Sequence, residues 1–255
     1  MRPPMDEAED RSLLSTRKIQ RARRLIFALD VPDRDAALGH ARRLGGSVHF
    51  YKVGLELFVA RDCFALIDEL VEMGKQVFLD LKLFDVAETV GRAVRNLRGR
   101  EGLFVTVHAY DAAVAAAVRE KSGIRVIVVT VLTNLDKSDL IAQGFPEALE
   151  VEDLVLSRAR RALELGCDGV VASAREARRL RKELGDDFLI ISPGIRPFES
   201  PRVPGDDQKR VVTPREAFLA GADYIVVGRP IRDAAEGPRA AAEKIQAAIA
   251  ELFPE

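Results

Sequence analysis

The sequence predicts an α/β chain closed into a single (β/α)8 TIM barrel, with eight parallel strands, and three observations predict it. Short β-branched and apolar runs alternate with longer stretches at helical spacing, about eight times from residue 25 onward. The strand candidates read as near-continuous apolar runs, as in a parallel sheet covered on both faces. The turn after the first strand, VPDRDAA, lacks the G-x-G-x-x-G that an open doubly wound sheet normally carries there. The length of 255 residues suits one barrel, so residues 1–24 are expected to be a polar tail and 25–255 a single domain.

Taken in order, the first strand is LIFALD (25–30), ending on Asp30, and RDAALGHARRLG follows as a helix stopped at glycine. VHFYKVG (48–54) is the second strand and carries Lys52; LFVARDCFALIDELVEMG (57–74) is expected to be its helix. QVFLDLK (76–82) brings Asp80 and Lys82. LFVTVHA (103–109) ends at His108, and DAAVAAAVREKSG is helical. IRVIVVTVL (124–132) brings Thr130 to its end, with Thr133 just beyond. The irregular LTNLDKSDLIAQGFPEAL follows, then the helix VEDLVLSRARRALELG. DGVVAS (168–173) ends on Ser173, FLIISPGI (188–195) runs into Pro193-Gly194, and DYIVVG (223–228) closes on Gly228-Arg229. Between the last two strands lies ISPGIRPFESPRVPGDDQKRVVTP, long enough to be a functional loop.

Composition excludes several classes. Lys plus Arg number 39 against 40 Asp plus Glu, so a net charge of -1 offers no global attraction for nucleic acid or anionic lipid, and an anionic ligand needs a local site. No apolar run approaches a spanning helix, and the amino-terminal residues have no apolar core of a signal peptide. Cys63 and Cys167 read as reduced buried thiols, which fits a cytoplasmic protein. The three histidines lack metal-ligand spacing, and neither a P-loop nor a G-x-S-x-G motif occurs.

In a barrel, chemistry sits at the carboxyl ends of strands. Asp80 and Lys82, two apart on one strand, are expected to share a face, with Lys52 meeting them from the neighbouring strand and Asp85 converging just past the turn. A lone Asp-Lys pair would read as a structural salt bridge; four such charges at strand ends read as function. A Lys flanked by carboxylates is a general acid, and an Asp beside a substrate carboxylate would repel it, by about 1 to 4 kcal/mol for unit charges ~4 Å apart. Loss of carbon dioxide would relieve that repulsion. At the other end of the chain, Gly228-Arg229, Arg196 and Gln208 make a phosphate-holding set. His108 is as readily a core histidine as a catalyst. Asp136, Lys137 and Asp139 read as a solvated helix start, and Asp30 as either a cap of the VPDRDAA turn or a ribose ligand.

These segments, ALDV, YKVGLELF, FLDLKLFDVAET, VHA, VTVLTN, DGVVASAREA, PGIRP, GDDQKRVVTP and ADYIVVGRPI, resemble in order the orotidine 5′-phosphate decarboxylase family, in its bacterial branch, from Leu25 to about Ile245. The D-x-K-x-x-D core is shared with related sugar-phosphate decarboxylases; PGIRP, GD-Q-R and VGRP are more specific. The resemblance implies decarboxylation of orotidine 5′-phosphate to UMP in pyrimidine biosynthesis, with Lys82 as proton donor to C6, Asp80 near the substrate carboxylate and Lys52 bridging the array. It implies that Asp85 and Thr89 reach a partner subunit's site in a homodimer. Asp30 would hold ribose, Thr133 the pyrimidine, and Arg196, Gln208, Gly228 and Arg229 the phosphate, with no metal or organic cofactor. Where the family commonly reads H-D-I-P-N-T, this chain has FDVAET. The competing readings are a metal-dependent sugar-phosphate decarboxylase and a non-catalytic nucleotide-binding barrel.

Overall fold

The computed structural model describes residues 12–100, 102–196 and 212–254. Its eight strands hydrogen-bond in chain order and close on themselves, β8 pairing with β1, every ladder parallel. They are β1 (Leu25–Ala28), β2 (Phe50–Gly54), β3 (Gln76–Leu83), β4 (Phe104–His108), β5 (Arg125–Val129), β6 (Gly169–Val171), β7 (Leu189–Ser192) and β8 (Tyr224–Val227). The helices are α1 (Arg34–Leu44), α2 (Leu55–Val59), α3 (Cys63–Glu72), α4 (Ala87–Arg95), α5 (Asp111–Glu120), α6 (Lys137–Ala142), α7 (Val151–Glu164), α8 (Ala174–Leu184), α9 (Pro214–Leu219), α10 (Arg229–Arg232) and α11 (Pro238–Leu252).

The unbroken apolar runs have two destinations. Alternate residues such as Ile26, Phe50, Phe78, Phe104, Ile127, Ile191 and Tyr224 fill the barrel interior, while Leu25, Phe27, Tyr51, Val105 and Val107 pack outward under the helices. Inside, Phe50 meets Phe104 and Tyr224 edge-on at centroid distances of 5.0 and 5.6 Å, and Phe104 meets Tyr224 at 5.6 Å. Each such pair adds about 0.5 to 1.5 kcal/mol beyond its buried area. This aromatic floor lies one pleat below the charged residues, because the side-chain period of two carries Phe50 to Lys52, Phe78 to Asp80 and Ile26 through Ala28 to Asp30.

Three details depart from the linear reading. The stretch 57–74 is two helices, broken near Asp62, whose left-handed backbone (φ 68°) stops α2 and α3 from being continuous. Asp33, rather than Asp30, caps α1, its carboxylate accepting from the Ala36 N–H at 2.8 Å; this leaves Asp30 for the barrel mouth. The described part of the polar tail, residues 12–24, closes the barrel's amino-terminal end. Ile19 joins the interior cluster, buried Arg24 donates to the Asp223 and Arg17 carbonyls at 3.1 Å each and stacks 3.7 Å over the Phe253 ring, and the Ser15 hydroxyl donates to Asp223. Asp223, wholly buried, also accepts from Arg181 at 2.6 Å and from the Ile190 N–H at 2.8 Å.

Asp136 and Asp139 form a capping box that starts α6, as a solvated helix start should, and Thr213 with Glu216 starts α9 in the same way. Among the described residues no helix is long and apolar enough to cross a membrane.

Candidate active site

At the carboxyl ends of β1 to β3 the ladder sets Ala28 beside Lys52 and Gly54 beside Asp80. Four charges therefore line up across the barrel mouth. Lys52 Nζ lies 3.3 Å from Asp30 Oδ1 and 3.5 Å from Asp80 Oδ2, and Lys82 Nζ lies 3.0 Å from Asp80 Oδ2. Exposure is graded along the row: the side chains of Lys52 and Asp80 are 13% and 14% exposed, those of Lys82 and Asp30 37% and 48%. The inner pair is shielded and the outer pair meets solvent.

Burial would raise the Asp80 pKa, but the Lys52 and Lys82 charges, with hydrogen bonds from Lys82 and Thr106, more than offset it, so the carboxyl lies below its usual range. Asp80 is thus a fixed anion. His108 moves downward through burial first and then the Lys82 and Arg158 charges, which favours a neutral imidazole. Its ring packs edge-on to Phe84, at 5.7 Å between centroids.

Beyond the row opens a cavity of about 350 Å³. Its floor is apolar (Phe78, Val129, Val171, Ile191, Val226), and its rim also carries Thr133, Asn134, Gly194, Arg196, Gly228 and Arg229. Asp30, Lys52, Asp80, Lys82, Thr133, Arg196, Gly228 and Arg229, all singled out in the sequence, share this one cavity. Gly228 has a local reason to lack a side chain: a Cβ there would stand 3.3 Å from Asp30 Oδ2 and 3.4 Å from the Ala28 Cβ. The phosphate candidates Arg196 and Arg229 are anchored differently. Arg229 opens α10, while the Arg196 N–H donates to the Val212 carbonyl at 2.9 Å, tying together the two described ends of the long loop. Gln208 lies outside the described residues.

Asp85 does not converge with the other charges in this chain. It is exposed, accepts its own neighbour's N–H (Val86, 2.6 Å), and lies outside the cavity, as does exposed Thr89. The reason is that β3 ends at Leu83 and Asp85 sits in the turn, past the strand's reach. Flanking it are Phe84 and Val86, 71% and 66% exposed, and Phe84 packs on exposed Tyr110 at 6.2 Å. The Ala87-Glu88 variation has a plain local role. Ala87 begins α4, Glu88 places a carboxylate in the first turn where the helix dipole favours it, and Glu88 pairs with Arg92 at 2.9 Å.

Asp80 and Lys82 do meet on one side, but not by a regular pleat. The β3–β4 register jumps between Leu79 and Leu83, and Lys82 has φ 51°. Sequence reasoning also passed over Thr106, Asn134 and Arg232. Thr106 bonds both Asp80 and Lys82; Arg232 Nη1 donates to the Asp30 carbonyl at 2.6 Å. Thr106 had a signal: a polar residue in LFVTVHA at the interior parity of Phe104 and His108. Ser173 and Thr130 turn out to serve the scaffold. The Ser173 N–H donates to Glu176 at 2.7 Å at the start of α8, and the Thr130 carbonyl accepts from Arg158 at 2.7 Å. Among the described residues no group of three or more His, Cys, Asp and Glu side chains is placed to hold a metal ion.

Comparison with known proteins agrees in kind. The family described as "Orotidine 5'-phosphate decarboxylase / HUMPS family" matches residues 23–245. A protein of Methylococcus capsulatus named orotidine 5′-phosphate decarboxylase is 56% identical over 242 residues, 95% of this chain and 98% of that protein. One of the same name from Rhodopseudomonas palustris (strain HaA2) is 49% identical over 89% of this chain and 95% of its own. A crystal structure of orotidine 5′-phosphate decarboxylase from Lactobacillus acidophilus superposes with a TM-score of 0.74 at 33% identity, covering 89% of this chain and 99% of that one.

Proposed function

This chain belongs to the orotidine 5′-phosphate decarboxylase family, and from that premise we propose how its residues convert orotidine 5′-phosphate to UMP and carbon dioxide, a step of pyrimidine biosynthesis. The observation that carries the assignment of roles is the row Asp30–Lys52–Asp80–Lys82 lining one cavity together with Arg196 and Arg229. A substrate with an anionic phosphate at one end and a carboxylate at the other fits between them.

Arg196 and Arg229, with Gly228 and Gln208, grip the phosphate through charge-assisted bonds; Asp30 takes a ribose hydroxyl and Thr133 the pyrimidine. Binding of the phosphate presses the substrate carboxylate towards Asp80, an anion that its two lysines keep ionised. The C6–carboxylate bond breaks, its electron pair stays on C6, and carbon dioxide leaves. Lys82 Nζ passes a proton to C6, and the neutral amine then regains one from solvent. Lys52 bridges Asp30 and Asp80, coupling ribose contact to the reacting centre.

Asp85 and Thr89 act in the site of a second copy, so the working unit is a homodimer in the cytoplasm. What supports this is their position: outside their own chain's cavity, beside the exposed apolar Phe84, Val86 and Tyr110. Buried free Cys63 and Cys167 suit a reducing compartment.

The test is loss of orotidine 5′-phosphate absorbance with purified protein, run beside Lys82→Ala. Turnover by the wild type, lost by about 10²- to 10⁴-fold in the variant while UMP still binds, is expected. Equal turnover by both would remove Lys82 from its role, and turnover abolished by EDTA and restored by magnesium would instead favour a metal-dependent sugar-phosphate decarboxylase. For the shared site, mixing inactive Lys82→Ala with inactive Asp85→Ala should restore activity, because one mixed site is intact; no recovery from mixed dimers overturns the exchange.

A further inference from the structure

Between β3 and β4 the register runs Phe78 opposite Phe104 and Leu79 opposite Val105, then jumps to Leu83 opposite Val107. Three residues of β3, Asp80, Leu81 and Lys82, therefore oppose the single residue Thr106. A bulge of this kind re-aims side chains and interrupts the ladder. Here it also puts Lys82 in the left-handed region, which a long side chain rarely adopts unless its surroundings impose it.

The imposing group is one hydroxyl. Thr106 is fully buried, and its Oγ1 accepts from the Lys82 backbone N–H at 2.7 Å while donating to Asp80 Oδ1 at 3.1 Å. The hydroxyl's single proton and a lone pair are thereby both committed, one to each residue of the pair. Asp80 Oδ2, the other oxygen of the same carboxylate, carries the contacts to Lys82 Nζ at 3.0 Å and Lys52 Nζ at 3.5 Å. Through this one hydroxyl the Lys82 backbone is tied to the Asp80 carboxylate.

We propose that Thr106 is a positioning residue for decarboxylation: its hydroxyl fixes the backbone turn at Lys82 to the carboxylate of Asp80, so that ammonium and carboxylate arrive at the reacting carbon in a set relation. The proposal rests on the decarboxylase reading of the same site. Thr106 is fully buried opposite the bulge and does not line the cavity, so it is not placed to touch substrate. Its effect on the reaction passes through the two residues it holds. This differs from a stabilising role alone, which would change the amount of folded protein and leave the folded enzyme's kcat untouched.

Thr106→Val keeps the shape and removes the hydroxyl. With the enzyme otherwise intact, kcat is expected to fall about tenfold or more while the dissociation constant for UMP stays within about twofold, since the phosphate rim is undisturbed. Thr106→Ser, which retains the oxygen, should recover kcat to within about threefold of wild type. If Thr106→Val does not fold, Thr106→Ser and Thr106→Ala make the same comparison, serine retaining and alanine losing kcat. Crystals of wild type and the valine or alanine variant add a readout free of turnover: Lys82 φ should leave the left-handed region when the hydroxyl is gone. Unchanged kcat in the hydroxyl-free variant, or Lys82 keeping its left-handed φ there, overturns the proposal. Absence of turnover by the wild type would instead overturn the decarboxylase reading, and the Lys82 dihedral would still decide the clamp.

Discussion

Replacing Asp80 by Asn keeps its shape and removes its charge, which isolates what the anion contributes. In the structure the carboxylate faces ammonium groups at 3.0 and 3.5 Å, each attraction worth about 5 kcal/mol at an effective dielectric near 20. That attraction is set against the cost of burying the carboxylate, and its result is a fixed anion where the substrate carboxylate arrives. If repulsion between the two anions contributes about 1 to 4 kcal/mol to the reaction, kcat of Asp80→Asn should fall by about fivefold to 10³-fold. The split between constants carries the mechanism. Losing ground-state repulsion lets the substrate bind as well or better, so KM should not rise, while affinity for UMP, which has no carboxylate at C6, should change little. Steady-state kinetics with orotidine 5′-phosphate and a UMP titration, on protein shown to be folded, measure both. A kcat within threefold of wild type, or a loss carried entirely by KM, refutes the reasoning. The pH dependence has a definite sign: because the Asp80 pKa is depressed, its ionised form persists above the usual value of about 3.9 and is lost only as pH falls through a lower one. Any acid limb due to Asp80 should therefore lie below about pH 3.9 and be missing in the variant.

Arg229→Ala should raise KM about 10- to 150-fold with a smaller change in kcat, as expected for one lost charge-assisted contact of about 1.5 to 3 kcal/mol; unchanged KM removes Arg229 from the phosphate grip. Asp223→Ala leaves the Arg181 guanidinium, only 4% exposed, without its carboxylate at the opposite end of the barrel, and should destabilise by about 3 to 5 kcal/mol in urea unfolding while the folded enzyme keeps its kcat. A stability within 1 kcal/mol of wild type (about a fivefold change in the folding constant) contradicts a stabilising role for the buried Arg181–Asp223 pair. Glu120, hydrogen-bonded by Arg95 and flanked by Arg119 and Arg98, has its pKa lowered to about 2; its contribution is present above its unfolded value of about 4.3 and is lost as pH falls from there towards 2. Thermal unfolding of Glu120→Gln should show a shallower loss of stability across that window, and an unaltered acid slope would exclude the Arg95–Glu120 pair as a source of it.

The sequence alone determined the barrel, because its evidence is periodic and local. LIFALD or DYIVVG can bury both faces only between an interior and a helical layer, and eight repetitions leave closure as the economical solution. It also determined where most of the charged residues stand at the strand ends: the parity of two that lifts Lys52 above Phe50 and Asp80 above Phe78 is a property of any strand. Tertiary structure decided whatever depends on a partner strand or on chain far away in sequence. Asp30 reads in the linear sequence as either a cap of the VPDRDAA turn or a ribose ligand, and only the structure separates the two, with Asp33 taking the cap and the Lys52 ammonium of β2 standing beside Asp30. The segment 12–24 reads as polar because Arg17 and Arg24 are charged; that their guanidinium groups find the Asp186 and Asp223 carbonyls, 169 and 199 residues on, is invisible from its composition. Asp85 shares a motif with Lys82 yet leaves its own cavity, since the strand ends between them. Above all, the meeting of Asp80 and Lys82 looked like simple alternation, and instead requires a bulge whose opposite residue, Thr106, lies 24 positions beyond Lys82. Periodicity along a chain dictates which side of a strand a residue occupies; only the register with its neighbour fixes what it touches there.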